Sequence, residues 1–226
     1  MERTENKMAE MEEKKIFISG SGGQGVLLLG KILATACMLD GKNVTWIPSY
    51  GAEMRGGIVD CAVTVSSEDI GSPVVKEPNI LIAMNSQALG KYSHTVATGG
   101  LVLVNRSLLD SQSCFVRRDV EILSLPAVEM AKAASGHTRL ANMVMLGVLC
   151  CKTNAVSREK IEESIHSLAV SHDKELMSLN ITALHTGIEY VQRYVYQAKT
   201  IPNQGTAISN QLITISPNDS ILLRDT

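Results

Sequence analysis

The chain alternates short apolar runs with longer stretches in which apolar residues recur every three or four positions. Short apolar runs bounded by glycine, asparagine or proline are typical of buried strands. They predict strands at residues 14–20, 43–49, 58–66, 79–84, 101–105 and 120–125. In the third run, apolar residues alternate with Asp60, Ala62 and Thr64, which predicts a strand with one face less buried than the other.

Helical spacing separates these runs and then follows them. From Gln24 to about Asp40 the spacing predicts a helix, and Gly41 predicts its left-handed stop. A further helix is predicted to start with Ser86 as its cap, and others at 127–135, 139–152, 158–170 and 174–197, with Ser157 and Asp173 as caps. This order predicts a single α/β domain with a mainly parallel sheet, helices on both faces, a Rossmann-like first crossover and a helical C-terminal part.

The two ends of the chain differ in composition from the part between them. Residues 1–13 predict a flexible charged N-terminus, 14–197 the α/β domain and 198–226 a C-terminal tail. The tail either forms a small hairpin around Pro217 or is loose, and the sequence does not decide between the two. The first residues lack the apolar middle of a secretory signal, and no apolar run reaches the roughly 18 residues of a membrane span. A cytoplasmic protein without membrane contact is expected.

Composition argues against several classes of function. The net charge of −2 indicates no general attraction to nucleic acid. The five cysteines have no C-x-x-C spacing and the five histidines are scattered, so we expect reduced thiols and neither a zinc site nor an iron–sulfur site. No pair of carboxylates and no activated nucleophile indicates a catalytic residue on this chain.

The strongest local signal is a glycine-rich loop between the first strand and the first helix. It has the spacing G-x-G-x-x-G and consists of Gly20, Ser21, Gly22, Gly23, Gln24 and Gly25. Such a loop lets backbone approach a ligand, and the helix after it presents unpaired N–H groups to an anion, which favours a phosphate-bearing ligand. The alternative is a turn whose glycines only let the helix pack closely on the sheet.

Two common functions of such a loop require further residues that this sequence lacks. No acidic residue ends the second strand, which argues against ordinary NAD binding. No Lys-Ser or Lys-Thr follows the glycines, which argues against phosphoryl transfer.

A second loop, polar and glycine-containing, follows the second strand. Its candidate binding residues are Ser49, Tyr50, Arg55, Gly56 and Gly57. Ligands of open α/β sheets bind outside the carboxyl ends of the strands, so we expect both loops to line one crevice. Arg55 is a multi-donor cation suited to phosphate or carboxylate. The alternative is that it pairs with Glu53 at the surface or with an acidic residue of a partner subunit.

Several motifs, taken in their order along the chain, resemble one protein family. They are GSGGQGVLLLGKILATA, VTWIPSYGAEMRGGIVDCAVTVS, IGSP, NILIAMNSQAL and RLANMVMLGVL. Over about residues 14 to 190 the chain is similar to the gamma subunit of 2-oxoacid:ferredoxin oxidoreductases. The segment PSYG-x-E-x-RGG resembles the 2-oxoglutarate or branched-chain 2-oxoacid type more than the pyruvate type. The stretch after about residue 195 lies outside the resemblance.

The resemblance implies a subunit that does not work alone. Its partners would be alpha and beta subunits, often with a small delta subunit, in a complex that converts a 2-oxoacid, expected to be 2-oxoglutarate, and coenzyme A to acyl-CoA and reduces ferredoxin. Thiamine diphosphate, magnesium and iron–sulfur clusters are expected on those partners. CoA contacts are expected here, with residues 20–25 facing the coenzyme's phosphates and the second loop lining the crevice or a subunit contact. The alternatives are a stand-alone nucleotide- or dinucleotide-binding protein and a purely structural assembly module.

Overall fold

Within the residues that the structure describes, the fold is built on one six-stranded sheet with the order β2-β3-β1-β4-β5-β6. The computed structural model describes residues 13–49, 57–110, 117–168 and 173–195. The strands are β1 (Lys14–Ser21), β2 (Asn43–Ser49), β3 (Ile58–Ser66), β4 (Ile80–Ala83), β5 (Leu101–Asn105) and β6 (Glu121–Leu125). Their ends agree with the predicted strands to within one residue. The predicted flexible N-terminus, except residue 13, and the predicted tail lie outside the described residues.

The strands of this sheet run mostly in one direction. β1 pairs in parallel with β4, β4 with β5, and β5 with β6. β3 is antiparallel to both of its neighbours, β1 and β2, so β2 points the same way as β1. The mainly parallel sheet is therefore confirmed. The first crossover has the predicted order of strand, glycine loop, helix and strand, but β3 lies between the two strands that it joins.

Helices cover both faces of the sheet, as predicted. The described helices are α1 (Val26–Leu39), α2 (Ser86–Tyr92), α3 (Ala127–Ser135), α4 (Ala141–Thr153), α5 (Arg158–Leu168) and α6 (Lys174–Tyr190). α6 is followed by a π-helical turn, Val191–Val195. In the core on one face of the sheet, apolar residues of α1, α3, α4, α5 and α6 pack with Ile18, Ile82 and Leu103 of the strands. On the other face, Ala88 and Leu89 of α2 pack with Leu81 and Val102.

The helix ends follow the predicted signals with one correction. Gly41 has a φ of 75° after α1, Asp173 accepts backbone hydrogen bonds at the start of α6, and the Ser157 hydroxyl accepts one from Lys160. The prediction that Ser86 caps α2 is wrong. The cap is Asn85, which has extended backbone and whose Oδ1 accepts from the Ala88 N–H at 2.9 Å. Extended backbone is the conformation that an N-cap residue needs.

The burial of β3 also differs from the prediction. Every residue from Asp60 to Ser66 is buried, including Thr64, which has no exposed surface. β3 is an interior strand, and its Cys61, Val63 and Val65 belong to the buried cluster on one face of the sheet. The hydroxyl of Tyr92, at the end of α2, also reaches Asp60 on the face that was predicted to be less buried.

Candidate functional site

The glycine loop leaves β1 at the carboxyl edge of the sheet and opens to solvent. Gly22 and Gly23 are exposed, and Gly23 has a φ of 92°. A Cβ atom built on Gly23 would have no heavy atom within 4 Å. The tip of the loop therefore carries no side chain and is exposed to solvent. A ligand could approach its backbone closely.

The other glycines of the loop are packed. A Cβ atom on Gly20 would lie 2.8 Å from Cβ of Met84, and one on Gly25 would lie 2.8 Å from Cγ of Asn142. Gly25 also has a φ of 72° at the N-cap of α1. Gly20 and Gly25 thus permit the close packing that the alternative interpretation of the motif describes, while the tip stays open.

A set of side-chain amides shapes the loop from within. Oε1 of Gln24 accepts from the backbone N–H of Ser21 at 2.7 Å and from Nδ2 of Asn85 at 3.2 Å. Nδ2 of Asn85 also donates to the hydroxyl of Ser21 at 2.8 Å. The loop after β1 is therefore hydrogen-bonded to the residue that begins the helix after β4.

The start of α1 faces the same opening. No side chain caps this helix end. The carbonyl of Gly25 accepts from the Leu29 N–H at 2.9 Å and from Nδ2 of Asn142 at 3.3 Å. The first N–H groups of a helix have no intrahelical acceptor and lie at the positive end of the helix dipole, which makes this end suited to an anion.

The β2–β3 loop starts and ends at this edge of the sheet. Ser49 is exposed and opposes Asp60 on β3, which in turn opposes Ser19 on β1. The N–H of Gly22 donates to the carbonyl of Gly57 at 3.3 Å. Tyr50, Arg55 and Gly56 lie outside the described residues. The structure thus brings Ser49 and Gly57, the two ends of this loop, to the edge that carries the glycine loop.

A buried carboxylate beneath this edge was missed by sequence reasoning. Asp60 is 8% exposed, and its Oδ1 accepts from the Ser19 hydroxyl at 2.5 Å. Its Oδ2 accepts from the hydroxyl of Tyr92, and the Tyr92 ring packs on Phe17 with 4.6 Å between centroids. Burial and the hydrogen bond to Asp60 raise the pKa of Tyr92. A single acidic residue in a mostly apolar strand was the available signal.

The described residues offer little metal or thiol chemistry. Among them no group of three or more His, Cys, Asp or Glu side chains comes together. Cys37, Cys61 and Cys150 are buried free thiols, and burial raises the pKa of Cys37 and of Cys61 to about 12. Thiols held neutral in this way are poor metal ligands, because metals bind the thiolate. No helix in the described part of the chain is long and apolar enough to cross a membrane.

Fold and site together define a class: an α/β chain with an open, anion-suited glycine loop and, in its described part, no metal-ligand cluster. A family model described as pyruvate ferredoxin/flavodoxin oxidoreductase matches residues 15–190. The match spans well over half of the chain, and the chain therefore belongs to this family.

Curated relatives are subunits of 2-oxoacid oxidoreductases. The 2-oxoglutarate synthase subunit KorC of Methanothermobacter marburgensis is 37% identical over 182 residues, which are 79% of this chain and 96% of that protein. The ketoisovalerate oxidoreductase subunit VorA of Methanothermobacter thermautotrophicus is 34% identical over 187 residues, 82% of this chain. This chain spans only 38% of the length of VorA.

Solved structures agree with this assignment. The gamma subunit of keto/oxoacid ferredoxin oxidoreductase from Geobacter sulfurreducens has a TM-score of 0.67 and 30% identity, covering 79% of this chain and 98% of that one. The 2-oxoglutarate:ferredoxin oxidoreductase from Magnetococcus marinus, solved with 2-oxoglutarate, coenzyme A and succinyl-CoA, has a TM-score of 0.73 at 23% identity. That match covers 81% of this chain and 32% of the Magnetococcus chain and shows a shared fold. The resemblance to gamma subunits is confirmed.

Proposed function

We propose that this chain is the gamma subunit of a complex that oxidatively decarboxylates 2-oxoglutarate in the presence of coenzyme A and reduces ferredoxin. In this proposal the glycine loop and the start of α1 hold the phosphates of the coenzyme. The chain contributes binding and assembly, and the partner subunits perform the reaction.

One observation carries the role of the loop. The exposed glycine tip, the uncapped start of α1 and both ends of the β2–β3 loop lie at one edge of the sheet, joined by the hydrogen bond from Gly22 to Gly57. N–H groups in the first turn of α1 would donate to phosphate oxygens, and the helix dipole would favour their negative charge. Arg55, in the β2–β3 loop, would add a planar cation.

The substrate and the partners rest on the relatives. KorC is named for 2-oxoglutarate and is matched over nearly its whole length, whereas VorA is named for ketoisovalerate and is more than twice as long as the matched segment. The proposal therefore takes 2-oxoglutarate as the substrate and separate alpha and beta chains, with or without delta, as the partners. The proposal includes coenzyme A because it is a ligand of the Magnetococcus enzyme, which contains this fold.

The remaining cofactors are assigned to the partners. Thiamine diphosphate supplies the decarboxylation chemistry when it is bound, and iron–sulfur clusters carry electrons one at a time to ferredoxin. The described residues fit neither magnesium nor a cluster, since they bring together no group of ligating side chains and the buried thiols of Cys37 and Cys61 stay neutral. This chain's own residues would hold the coenzyme and exclude water at the interface.

A stand-alone dinucleotide-binding protein is disfavoured by the sheet. In a dinucleotide-binding fold the strand beside β1 is parallel and ends in the acid that binds the ribose. Here that position is taken by the antiparallel strand β3, and the oxygens of its Asp60 already accept from Ser19 and Tyr92. A titration of the full chain with NAD should show no saturable binding.

The loop's role is tested by a pair of variants at Gly23 in the complex purified with its partner chains. The open surroundings of Gly23 accommodate a side chain, and Asp and Asn both tolerate left-handed backbone. Gly23→Asp adds a negative charge where phosphate is expected, and Gly23→Asn is its neutral match. We expect the KM for CoA to be about fivefold higher in the Asp variant than in the Asn variant, because a nearby like charge costs on the order of 1 kcal/mol.

The measurement is 2-oxoglutarate- and CoA-dependent dye reduction, with the KM for 2-oxoglutarate as the internal control, which should not change. Equal KM values for CoA in the two variants would contradict phosphate binding at the loop and favour the structural assembly module. Activity that does not depend on whether this chain is present would refute the assignment as a subunit.

A further inference from the structure

Asn85 occupies the junction between two elements that the proposed phosphate site needs. It follows β4 at the carboxyl edge of the sheet and is the N-cap of α2. Its backbone carbonyl accepts from the Leu89 N–H at 3.1 Å, and its Oδ1 accepts from the Ala88 N–H at 2.9 Å. The location of Asn85 in the fold is therefore fixed by α2, which packs on the face of the sheet opposite to α1.

The amide nitrogen of the Asn85 side chain, Nδ2, donates hydrogen bonds to the glycine loop. A carboxamide NH2 has two hydrogens. One Nδ2 contact is to the Ser21 hydroxyl at 2.8 Å and the other is to Oε1 of Gln24 at 3.2 Å. Both donors and an acceptor lone pair are thus used within the protein, so Asn85 is poorly placed to bind a ligand directly.

Gln24 belongs to the same hydrogen-bond network. Its Oε1 accepts from two donors, the N–H of Ser21 and Nδ2 of Asn85, and so closes a ring of hydrogen bonds across the loop. The N–H of Gln24 donates to the carbonyl of Ser21 at 3.1 Å. The loop conformation that exposes Gly22 and Gly23 is therefore held by the pair of amide side chains from Gln24 and Asn85.

We propose that Asn85 is a positioning residue for the phosphate site: it holds the glycine loop in its open, binding-competent shape through Gln24 and Ser21 and makes no contact with the coenzyme. The inference rests on the proposed function of the loop. A loop ordered before binding loses less conformational entropy when the ligand binds, and this is where Asn85 contributes affinity.

The variant that separates this role from helix capping is Asn85→Ser. Serine is as good an N-cap as asparagine, so α2 keeps its cap while both amide donors to the loop are lost. The control is Asp173→Ser at the cap of α6, which makes a similar exchange of one capping residue for another on a helix away from the loop. A second variant, Gln24→Met, removes the shared acceptor and leaves Asn85 in place.

Two readouts are measured on the full chain in its complex. We expect Asn85→Ser to raise the KM for CoA by about tenfold, as loss of preorganisation does, with kcat at saturating CoA unchanged. In hydrogen exchange, the Ser21 amide should exchange faster in both variants and at the wild-type rate in Asp173→Ser.

The outcomes are distinguishable from those for the proposed function. Unchanged exchange at Ser21, or an unchanged KM for CoA despite faster exchange, overturns the inference. If exchange is faster but the wild-type complex does not bind CoA, the hold of Asn85 on the loop stands and the proposed function fails.

Discussion

Gly23 and Gly25 both have left-handed backbone, yet they meet different surroundings. A Cβ atom at Gly23 would have no heavy atom within 4 Å, whereas one at Gly25 would lie against the side chain of Asn142. The G-x-G-x-x-G spacing located the loop correctly but did not distinguish these two surroundings. The side chain that a Cβ atom at Gly25 would meet belongs to a residue 117 positions later in the chain. Asn142 is 3% exposed, and its Nδ2 donates to the carbonyl of Gly25.

A prediction at this scale compares Gly25→Ala with Gly41→Ala. Both positions have a φ above 70°, but a Cβ at Gly25 meets Asn142 while one at Gly41 meets nothing within 4 Å. We expect Gly25→Ala to lower the free energy of unfolding by about 3 kcal/mol, from overpacking plus backbone strain, and Gly41→Ala by about 1 kcal/mol from strain alone. Urea unfolding of both variants checks this, and equal losses would contradict it.

At the scale of elements, two helices approach so closely that only glycine fits between them. A Cβ atom on Gly147 in α4 would lie 3.0 Å from the carbonyl carbon of Leu184, and one on Gly187 in α6 would lie 3.0 Å from that of Val144. The predicted helices were placed correctly, but their contact was not predicted. Helical spacing identifies an apolar face and does not say which other helix covers it.

The prediction for this contact concerns Gly147→Ala, with Gly90→Ala as the matched control. The Ala methyl group at 147 would press on backbone of α6, which cannot turn aside as a flexible side chain can, whereas Gly90 in α2 has open space around it. Gly147→Ala should lower the free energy of unfolding by at least about 2 kcal/mol. Gly90→Ala should leave it unchanged or raise it by up to about 1 kcal/mol through helix propensity. Thermal or urea unfolding distinguishes the two, and similar values would contradict the close contact.

At the scale of the whole molecule, the core holds ionisable thiols away from water. Cys37 in α1 and Cys61 in β3 lie in the same buried cluster, and burial raises the pKa of each from 9.0 to about 12. Well below pH 9 both thiols are neutral in the folded and unfolded chains. Between about pH 9 and 12 the unfolded chain releases these protons while the folded chain keeps them, so stability falls as pH rises.

The expected loss is up to about 1.4 kcal/mol per pH unit for each thiol within that interval. Replacing Cys37 by Ala or by Ser should make the decline shallower by the share of one thiol. The two variants differ in packing but not in ionisation, so they should share the same slope above pH 9 even if their stabilities at pH 7 differ. Urea unfolding at pH 8, 9 and 10 measures the slopes, and an unchanged slope in both variants would contradict the role of Cys37.

The sequence by itself determined the elements, the position of the glycine loop and the family, because periodicity, turn residues and motif spacing are properties of neighbouring positions. Only the tertiary structure decided that β3 runs antiparallel between β1 and β2, that Asp60 is buried against Ser19 and Tyr92, and that Asn85 and Asn142 support the loop. Strand pairing and side-chain contacts of this kind join residues far apart in the chain. Their partners are chosen by the packing of the whole core, which no local pattern encodes.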